Sequence, residues 1–230
     1  MLRFDQVMLQ QGTHVLAADF AVDEPGITAV VGPSGAGKST LLSAIAGFLT
    51  PAKGRVMWGD LDLNPLGPGE RPVSVVFQDN NLFPHLDARR NVALGVAPNL
   101  RLSPEDMGRV DAVLDRVGLA GKEARKPAAL SGGEQSRVAL ARVLVRDRPL
   151  VLLDEPFAAL GPALKAEMLD LARETLAAEG KTVLLVTHDP DDARRVAERT
   201  ILVAEGRAHP PVQTASLLDN PPPALAAYLT

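Results

Sequence analysis

A glycine-rich segment at residues 32–40 has the composition of a phosphate-binding loop. It fits the pattern G-x-x-x-x-G-K-[ST], which chance produces in roughly three such chains per thousand as an ordinary glycine turn. Glycines let successive backbone N–H groups face phosphate oxygens, and a following helix adds its positive N-terminus. Lys38 can reach the β- and γ-phosphates, and the Ser39 hydroxyl can ligate Mg²⁺. The candidate nucleotide ligands are Gly32, Pro33, Ser34, Gly35, Ala36, Gly37, Lys38, Ser39 and Thr40.

Two carboxylates follow an apolar run at residues 150–153. This run predicts a buried strand, so Asp154 and Glu155 should lie at its carboxyl end, where open α/β sheets bind ligands. Asp154 would hold Mg²⁺, directly or through water, and Glu155 could polarise an attacking water as general base. Turn or helix-cap chemistry explains an isolated acidic pair equally well, and the phosphate loop favours the catalytic interpretation.

The segment Leu-Ser-Gly-Gly-Glu-Gln at residues 130–135 allows two interpretations. Ser131 and Glu134 have the spacing of a helix capping box. Alternatively, the Ser131 hydroxyl and the Gly133 amide form a second anion site at a helix N-terminus. Taken alone, the segment favours the cap.

Strands that alternate with helices must position these groups. Alternation in Leu2, Phe4 and Val7, and in Val15, Phe20 and Val22, predicts paired N-terminal strands. Further strands are predicted at 27–31, 55–58, 73–77, 150–153, 182–186 and 201–204. Helices are predicted at 38–47, 87–94, 104–117, 132–147, 162–178 and 191–199, with a Pro-rich linker at 220–223. The pattern predicts an α/β core (1–86 and 147–230), with an N-terminal antiparallel β part and an inserted α-helical subdomain (87–146).

Composition narrows the class of protein. The chain has 230 residues, a net charge of -4 and no cysteine, which excludes disulfides and thiolate metal sites. The acidic balance and 3% aromatic content argue against a nucleic-acid partner. No apolar run approaches the roughly 18 residues of a membrane span, and the N-terminus lacks a signal-peptide pattern. We therefore expect a soluble, cytoplasmic protein.

Taken in order, these motifs make the chain resemble the nucleotide-binding subunit of an ABC transporter. Residues 130–135 match the signature sequence of that family. Phe77-Gln78 resembles its Q-loop, and residues 186–189 resemble its switch-histidine strand. The resemblance extends over essentially the whole chain as a single cassette and implies a P-loop NTPase (RecA-like) core.

The resemblance also implies a mechanism and partners. Two copies would form a head-to-tail dimer around two Mg-ATP. Each ATP would lie between one phosphate loop and the other copy's signature residues Ser131, Gly132, Gly133 and Glu134. Gln78 would contact Mg²⁺ or the attacking water, and His188 would contact the γ-phosphate and orient that water. The remaining histidines fit no such role. A transmembrane permease would hold the dimer at the cytoplasmic face of the bacterial inner membrane, and a solute-binding protein would act indirectly.

Two segments depart from the family pattern. Residues 9–14 contain no aromatic ring to stack on adenine, so stacking is expected to be weaker or supplied by His14 or the Gln11 amide. The segment after Glu155 reads Ala-Ala-Leu-Gly, with Gly161 where the family has Asp. Because that Asp helps couple the two nucleotide sites, Gly161 is expected to weaken the coupling.

Among importer subunits, the chain most resembles the ATPases of thiamine importers. The segments that carry this resemblance are 47–51, 77–83, 85–86, 91–92 and 98–100. Many iron, sulfate, molybdate and polyamine importer subunits carry an extra C-terminal β-domain, and the length of this chain fits one cassette. The alternatives are the ATPase of another importer, of an exporter or of a lipoprotein extractor. A non-hydrolysing nucleotide switch and an ABC ATPase acting on DNA or ribosomes fit less well.

Overall fold

The structure, a computed structural model, describes residues 1–22 and 25–229. In these ranges the strands are β1 (Leu2–Gln11), β2 (His14–Val22), β3 (Gly26–Val31), β4 (Lys53–Trp58), β5 (Leu61–Asp62), β6 (Val73–Val76), β7 (Leu150–Asp154), β8 (Thr182–Val186), β9 (Arg199–Ala204), β10 (Arg207–Ala208) and β11 (Val212–Gln213). The helices are α1 (Lys38–Ala46), α2 (Ala88–Ala93), α3 (Pro104–Arg116), α4 (Gly132–Arg146), α5 (Pro162–Leu176), α6 (Pro190–Val196), α7 (Thr214–Asp219) and α8 (Pro223–Leu229).

Five parallel strands form the part of the sheet that positions the candidate site. Their order is β9-β3-β8-β7-β6. In β7, Val151 and Leu153 pack into one apolar core with α2 to α6, whereas Leu150 and Leu152 pack into a second core with α1 and the N-terminal strands. Because both faces are covered, these strands consist mainly of apolar residues, as the runs at 27–31 and 150–153 predict.

The N-terminal strands form an antiparallel extension of the sheet. Its order is β5-β4-β1-β2, and the short β10 joins β2 to β9. A bulge around Gln6, with φ of 46°, shifts the register of β1 between Phe4 and Val7, so both side chains point into the core. The predicted pairing of the N-terminal strands is present, and within β2 the side chain of Leu16 is buried whereas that of Val15 is 46% exposed.

The helical insert lies between β6 and β7. Its helices α2, α3 and α4 contact one another and share an apolar core with the parallel strands. The Asn91 side chain, fully buried in α2, donates to the carbonyls of Phe83, Leu86 and Asp87 and accepts from the Phe83 N–H. Asn91 therefore attaches the segment after β6 to the helical insert. The division at residues 87 and 146 stays a prediction.

Most predicted elements are present, with ends that differ by a residue or two. The exception is the helix predicted at 191–199, which ends at Val196. Ala197 adopts an extended conformation, and Arg199 pairs with Thr28 at the start of β9. Strand pairing in the parallel sheet overrides the helix-forming composition of this segment. Helices α7 and α8 were not predicted; residues 220–222 of the predicted linker separate them, and Pro223 begins α8.

Candidate functional site

The phosphate loop, residues 32–40, joins β3 to α1 at the carboxyl edge of the parallel strands. Gly32 has φ of 151°, and a Cβ there would lie 2.0 Å from the Val203 carbonyl oxygen. Gly37, with φ of 107°, caps α1 without a side-chain hydrogen bond and lies against Leu16. Only glycine fits the Gly32 position, and the loop presents the uncapped N-terminus of α1.

Lys38 spans the loop. Its ammonium donates to the Gly32 carbonyl at 2.8 Å and to the Pro33 carbonyl at 3.0 Å. Burial lowers the pKa of Lys38, and the nearby carboxylates of Glu155 and Asp154 oppose that shift. A buried cation beside turned backbone N–H groups is an arrangement that suits a polyphosphate.

Ser39 and Asp154 face each other across the sheet edge. The Ser39 hydroxyl donates to Asp154 Oδ1 at 3.3 Å, although the residues are 115 positions apart. Burial raises the pKa of Asp154, the Ser39 hydrogen bond opposes this shift, and Glu155 adds to it. A hydroxyl and a carboxylate at this separation are oxygen donors of the kind that Mg²⁺ takes together with phosphates. Among the described residues, this edge included, no group of three or more His, Asp or Glu side chains could hold a metal ion by itself.

Glu155 and His188 form a second pair at the same edge. Glu155 has φ of 45°, and its N–H donates to the Val186 carbonyl at 3.1 Å. His188 Nδ1 lies 3.2 Å from Glu155 Oε2. A left-handed glutamate is a strained conformation that is common at functional sites. This conformation holds the carboxylate beside the imidazole, which is the arrangement required of a general base with an orienting partner.

Gln78 follows β6 and is exposed at this edge. Since Val76 pairs with Leu153 in parallel register, Gln78 and Asp154 lie at the same carboxyl edge of two neighbouring strands. Two left-handed residues follow, Asn80 and Asn81. We define the Q segment as residues 78–86.

The Q segment is attached to α4. Arg142 donates to the carbonyls of Asn80 at 2.7 Å and Asn81 at 2.9 Å, and the Asn80 side chain donates to Ser136 Oγ at 3.3 Å. Sequence reasoning missed Arg142, Asn80 and the buried Asn91. Their partners are 61, 56 and 8 positions away in the chain, so only the Asn91 contacts had a local signal.

The signature turn, residues 130–135, forms a complete capping box at the start of α4. Ser131 Oγ accepts from the Glu134 N–H at 3.3 Å, and Glu134 Oε2 accepts from the Ser131 N–H at 2.7 Å. Lys122 pairs with Glu134 at 2.7 Å, and with the Ser131 hydrogen bond it lowers the pKa of Glu134 to about 2. Gly132 is exposed and Gly133 is buried against Leu164 of α5. The local capping interpretation is therefore confirmed.

A cavity of about 470 Å³ lies against the phosphate loop. Gln11, His14, Val15 and Leu16 also line it, and the Thr40 hydroxyl donates to Gln11 Oε1 at 3.1 Å. Among the described residues, no Phe, Tyr or Trp lines this cavity, and neither does any residue of the signature turn. The structure therefore brings the phosphate loop, Gln11, His14 and Glu155 together in one chain and leaves the signature turn outside.

The family model described as "ABC transporter" matches residues 16–158 of this chain. The thiamine import ATP-binding protein of Cereibacter sphaeroides is 61% identical over 229 residues, covering 100% of this chain and 99% of that protein. The protein of the same name from Ruegeria sp. is 56% identical over 229 residues, with coverage of 100% and 99%.

Two solved structures are similar in fold. A dimer of the ATP-binding cassette MJ0796 in a post-hydrolysis state, bound to ADP and Pi, has a TM-score of 0.79 and 31% identity. The dimeric structure of MJ0796 described as a bacterial ABC transporter cassette has a TM-score of 0.78 and 32% identity. Each match covers 93% of this chain and 99% of the other. The predicted α/β fold class is confirmed. Within the described ranges, no helix is long and apolar enough to cross a membrane.

Proposed function

This chain belongs to the ABC transporter family, and we propose that it is the ATP-hydrolysing subunit of an importer for thiamine or its phosphate esters. The observation that carries the proposal is the meeting, at one sheet edge, of the phosphate loop, the Ser39–Asp154 pair and the Glu155–His188 pair. The names of the relatives from Cereibacter sphaeroides and Ruegeria sp. support thiamine as the imported compound.

Binding of ATP would use groups that the fold already orients. The loop N–H groups and the start of α1 would contact the phosphates, and Lys38 would exchange its loop carbonyls for phosphate oxygens. The adenine base of ATP would lie against Gln11 and Val15, which line the cavity. The Thr40 hydrogen bond orients the Gln11 amide, which makes this side chain the candidate replacement for the absent adenine-stacking ring.

Ser39 and Asp154 are the residues of this chain that would hold Mg²⁺, with Gln78 at the same edge. The ion would neutralise negative charge on the phosphate oxygens. Burial raises the pKa of Asp154. A bound cation would oppose that shift, because positive charge favours the carboxylate form.

Glu155 would act as the general base of hydrolysis. Its carboxylate would accept a proton from the water that attacks the γ-phosphate. The His188 imidazole, which faces that carboxylate, would orient the water and contact the γ-phosphate. Glu155, with φ of 45°, lines both the cavity at the phosphate loop and the crevice that contains His188.

A second copy of the chain would complete each site. The signature turn lies outside the cavity of its own chain, while Ser131 and Gly132 are exposed at the start of α4. The solved cassettes that this chain resembles are dimers. We therefore assign Ser131, Gly132, Gly133 and Glu134 to the nucleotide bound by the partner copy.

A transmembrane permease would be driven through the Q segment. Phe48 and Phe83 are 59% and 46% exposed, and Phe48 packs on Phe77 with ring centroids 6.0 Å apart. Exposed aromatic side chains of this size are typical of protein interfaces. The permease would hold the dimer at the cytoplasmic face of the inner membrane, and a solute-binding protein would deliver the substrate to that permease.

The test combines hydrolysis with uptake. The purified full chain should release phosphate from Mg-ATP, and cells that lack it should lose thiamine uptake and regain it with the wild-type chain but not with Glu155→Gln. Uptake of an unrelated amino acid is the control. Phosphate release together with unchanged thiamine uptake in cells that lack the chain would overturn thiamine as the imported compound. Absence of phosphate release would overturn ATP hydrolysis as the activity.

A further inference from the structure

Two ion-pair clusters join α5 to α6, and only one of them touches the site. Near the site, Lys165 of α5 contacts Asp189, which caps α6, and Asp192 of α6. Farther along α5, Asp170 pairs with Arg195 of α6 at 3.0 and 2.5 Å. Because the same two helices carry both clusters, the second is a natural control for the first.

In the Lys165 cluster Asp192 is buried, Lys165 is half-buried and the Asp189 side chain is 39% exposed. Lys165 Nζ lies 2.8 Å from Asp189 Oδ2 and 2.7 Å from Asp192 Oδ2. The side chains of Lys165 and Asp192 are 15% and 9% exposed. Although burial lowers the pKa of Lys165, its bonds to Asp189 and Asp192 raise it overall, so the ammonium stays charged. Removal of this cation would leave a buried carboxylate without its counter-ion.

The cluster also holds the residues on either side of His188. Thr187 Oγ1 donates to Asp192 at 2.6 Å and accepts from the Asp189 N–H at 3.0 Å. A narrow crevice of about 10 Å³ is lined by Lys165, Asp192, His188 and Glu155 among others. The lysine thus fixes both neighbours of the histidine and lies beside the glutamate that the histidine faces.

We propose that Lys165 is a positioning residue for ATP hydrolysis: by clamping Thr187 and Asp189 through the two aspartates, it holds His188 Nδ1 opposite Glu155. This inference rests on the proposed function and adds a residue outside the recognised motifs. In the first turn of α5, the backbone N–H of Lys165 donates to the Gly161 carbonyl at 2.9 Å. The segment after Glu155 and the loop that carries His188 are therefore both linked to the first turn of α5.

The experiment compares matched variants of the purified full chain in steady-state ATP hydrolysis. Lys165→Met should lower kcat by about tenfold and change KM for ATP by less than about twofold, because a misplaced catalytic group affects the transition state more than binding. Arg195→Met breaks the second cluster and should change kcat by less than about twofold. Lys165→Arg should restore most of the activity. Melting temperatures of all variants show which of them are folded.

A double-variant series distinguishes a positioning effect of Lys165 on His188 from a general stabilisation of the contact between α5 and α6. In a His188→Ala background, Lys165→Met should lower kcat further by less than about twofold, since its effect passes through the histidine. Losses that multiply in that background, or equal losses for Lys165→Met and Arg195→Met, would overturn the proposal. If Lys165→Met does not fold, Asp192→Asn provides the same comparison. Absence of hydrolysis by the wild-type chain would overturn the proposed function as well, whereas active variants would overturn only the positioning role.

Discussion

The carboxylate that faces the start of α1 and the carboxylate at the start of α4 are under opposite electrostatic conditions. At the phosphate loop, burial raises the pKa of Asp154 and lowers that of Lys38, so both charged forms are disfavoured. At the signature turn, hydrogen bonds from Lys122 and Ser131 lower the pKa of Glu134 to about 2. α1 begins without a side-chain cap, whereas α4 begins with a reciprocal one.

The charged groups at the phosphate loop depend on a bound ligand for their stability, whereas those of the signature turn do not. A bound anion would stabilise the Lys38 ammonium, and a bound cation would stabilise the Asp154 carboxylate. Shifted pKa values of this kind are common at functional sites. The signature turn satisfies its own polar groups and presents only the exposed Ser131 and Gly132. Changes at the loop should therefore affect chemistry and ligand binding, and changes at the turn should affect helix stability and action on a partner copy.

The largest expected effect is at the catalytic edge. Glu155→Gln should lower ATP hydrolysis by at least about a hundredfold, because the amide cannot accept a proton, and it should leave ATP binding intact. Phosphate release and fluorescent-nucleotide binding measure the two effects. Glu105→Gln, an exposed position in the first turn of α3, is the control. Undiminished turnover by Glu155→Gln would exclude this residue as the base.

Mixing two inactive variants tests the separation of loop and turn. Lys38→Met should disable the phosphate loop, and Ser131→Arg should block the signature turn. In an equal mixture, half of the dimers would contain one copy of each and retain one intact composite site, which restores up to about a quarter of wild-type hydrolysis. Activity no greater than that of the separate variants would mean that both regions serve the same nucleotide.

Neutralising Asp154 should stabilise the nucleotide-free protein. Because its pKa is raised, the cost of its charge appears as pH rises through that raised pKa and is absent at lower pH. Asp154→Asn should raise the free energy of unfolding at pH 7 by about 0.5–1 kcal/mol, while Mg-dependent ATP binding is lost. Urea unfolding at pH 7 and pH 4 measures the gain, which should shrink at the lower pH. A less stable variant at pH 7 would contradict the assigned charge state.

Neutralising Glu134 should lower the free energy of unfolding, the opposite of the effect expected at Asp154. With a folded-state pKa of about 2 against an ordinary 4.5, its contribution is present above about pH 4.5 and is lost as pH falls towards 2. Glu134→Gln keeps the capping geometry and removes the attraction to Lys122, which costs about 0.5 kcal/mol for a partly exposed pair. Lys122→Met is the matched variant, and the two losses should not add. Fully additive losses would show that the pair is not coupled.

The smallest expected effect is at a third helix start. Gly161 caps α5 with φ of −65°, no side-chain hydrogen bond and open space around its Cα. Gly161→Asp should add an N-cap worth about 0.3 kcal/mol over glycine and should raise ATP hydrolysis by restoring the residue that couples the two sites. Gly161→Ala separates the added Cβ from the carboxylate. Equal melting temperatures and rates for all three chains would contradict both effects.

Prediction from sequence succeeded where chemistry is local. Residues 32–40 and 130–135 specify turns through glycine and capping residues within a few positions of one another, and both turns occur where expected. Prediction failed at residues 197–199, where a helix-forming sequence becomes extended because Arg199 pairs with Thr28 in a neighbouring strand. That pairing depends on the sheet and has no signal in the segment itself.

By itself, the sequence determined the class of the protein, the phosphate loop, the acidic strand end and the capping box, since each depends on residue types at short spacing. Only the tertiary structure decided that Ser39 meets Asp154, that His188 faces Glu155 and that Lys165 contacts the two aspartates that follow His188. These contacts arise from the parallel register of buried strands and from helix packing. Both depend on apolar burial summed over the whole chain, which no local pattern encodes.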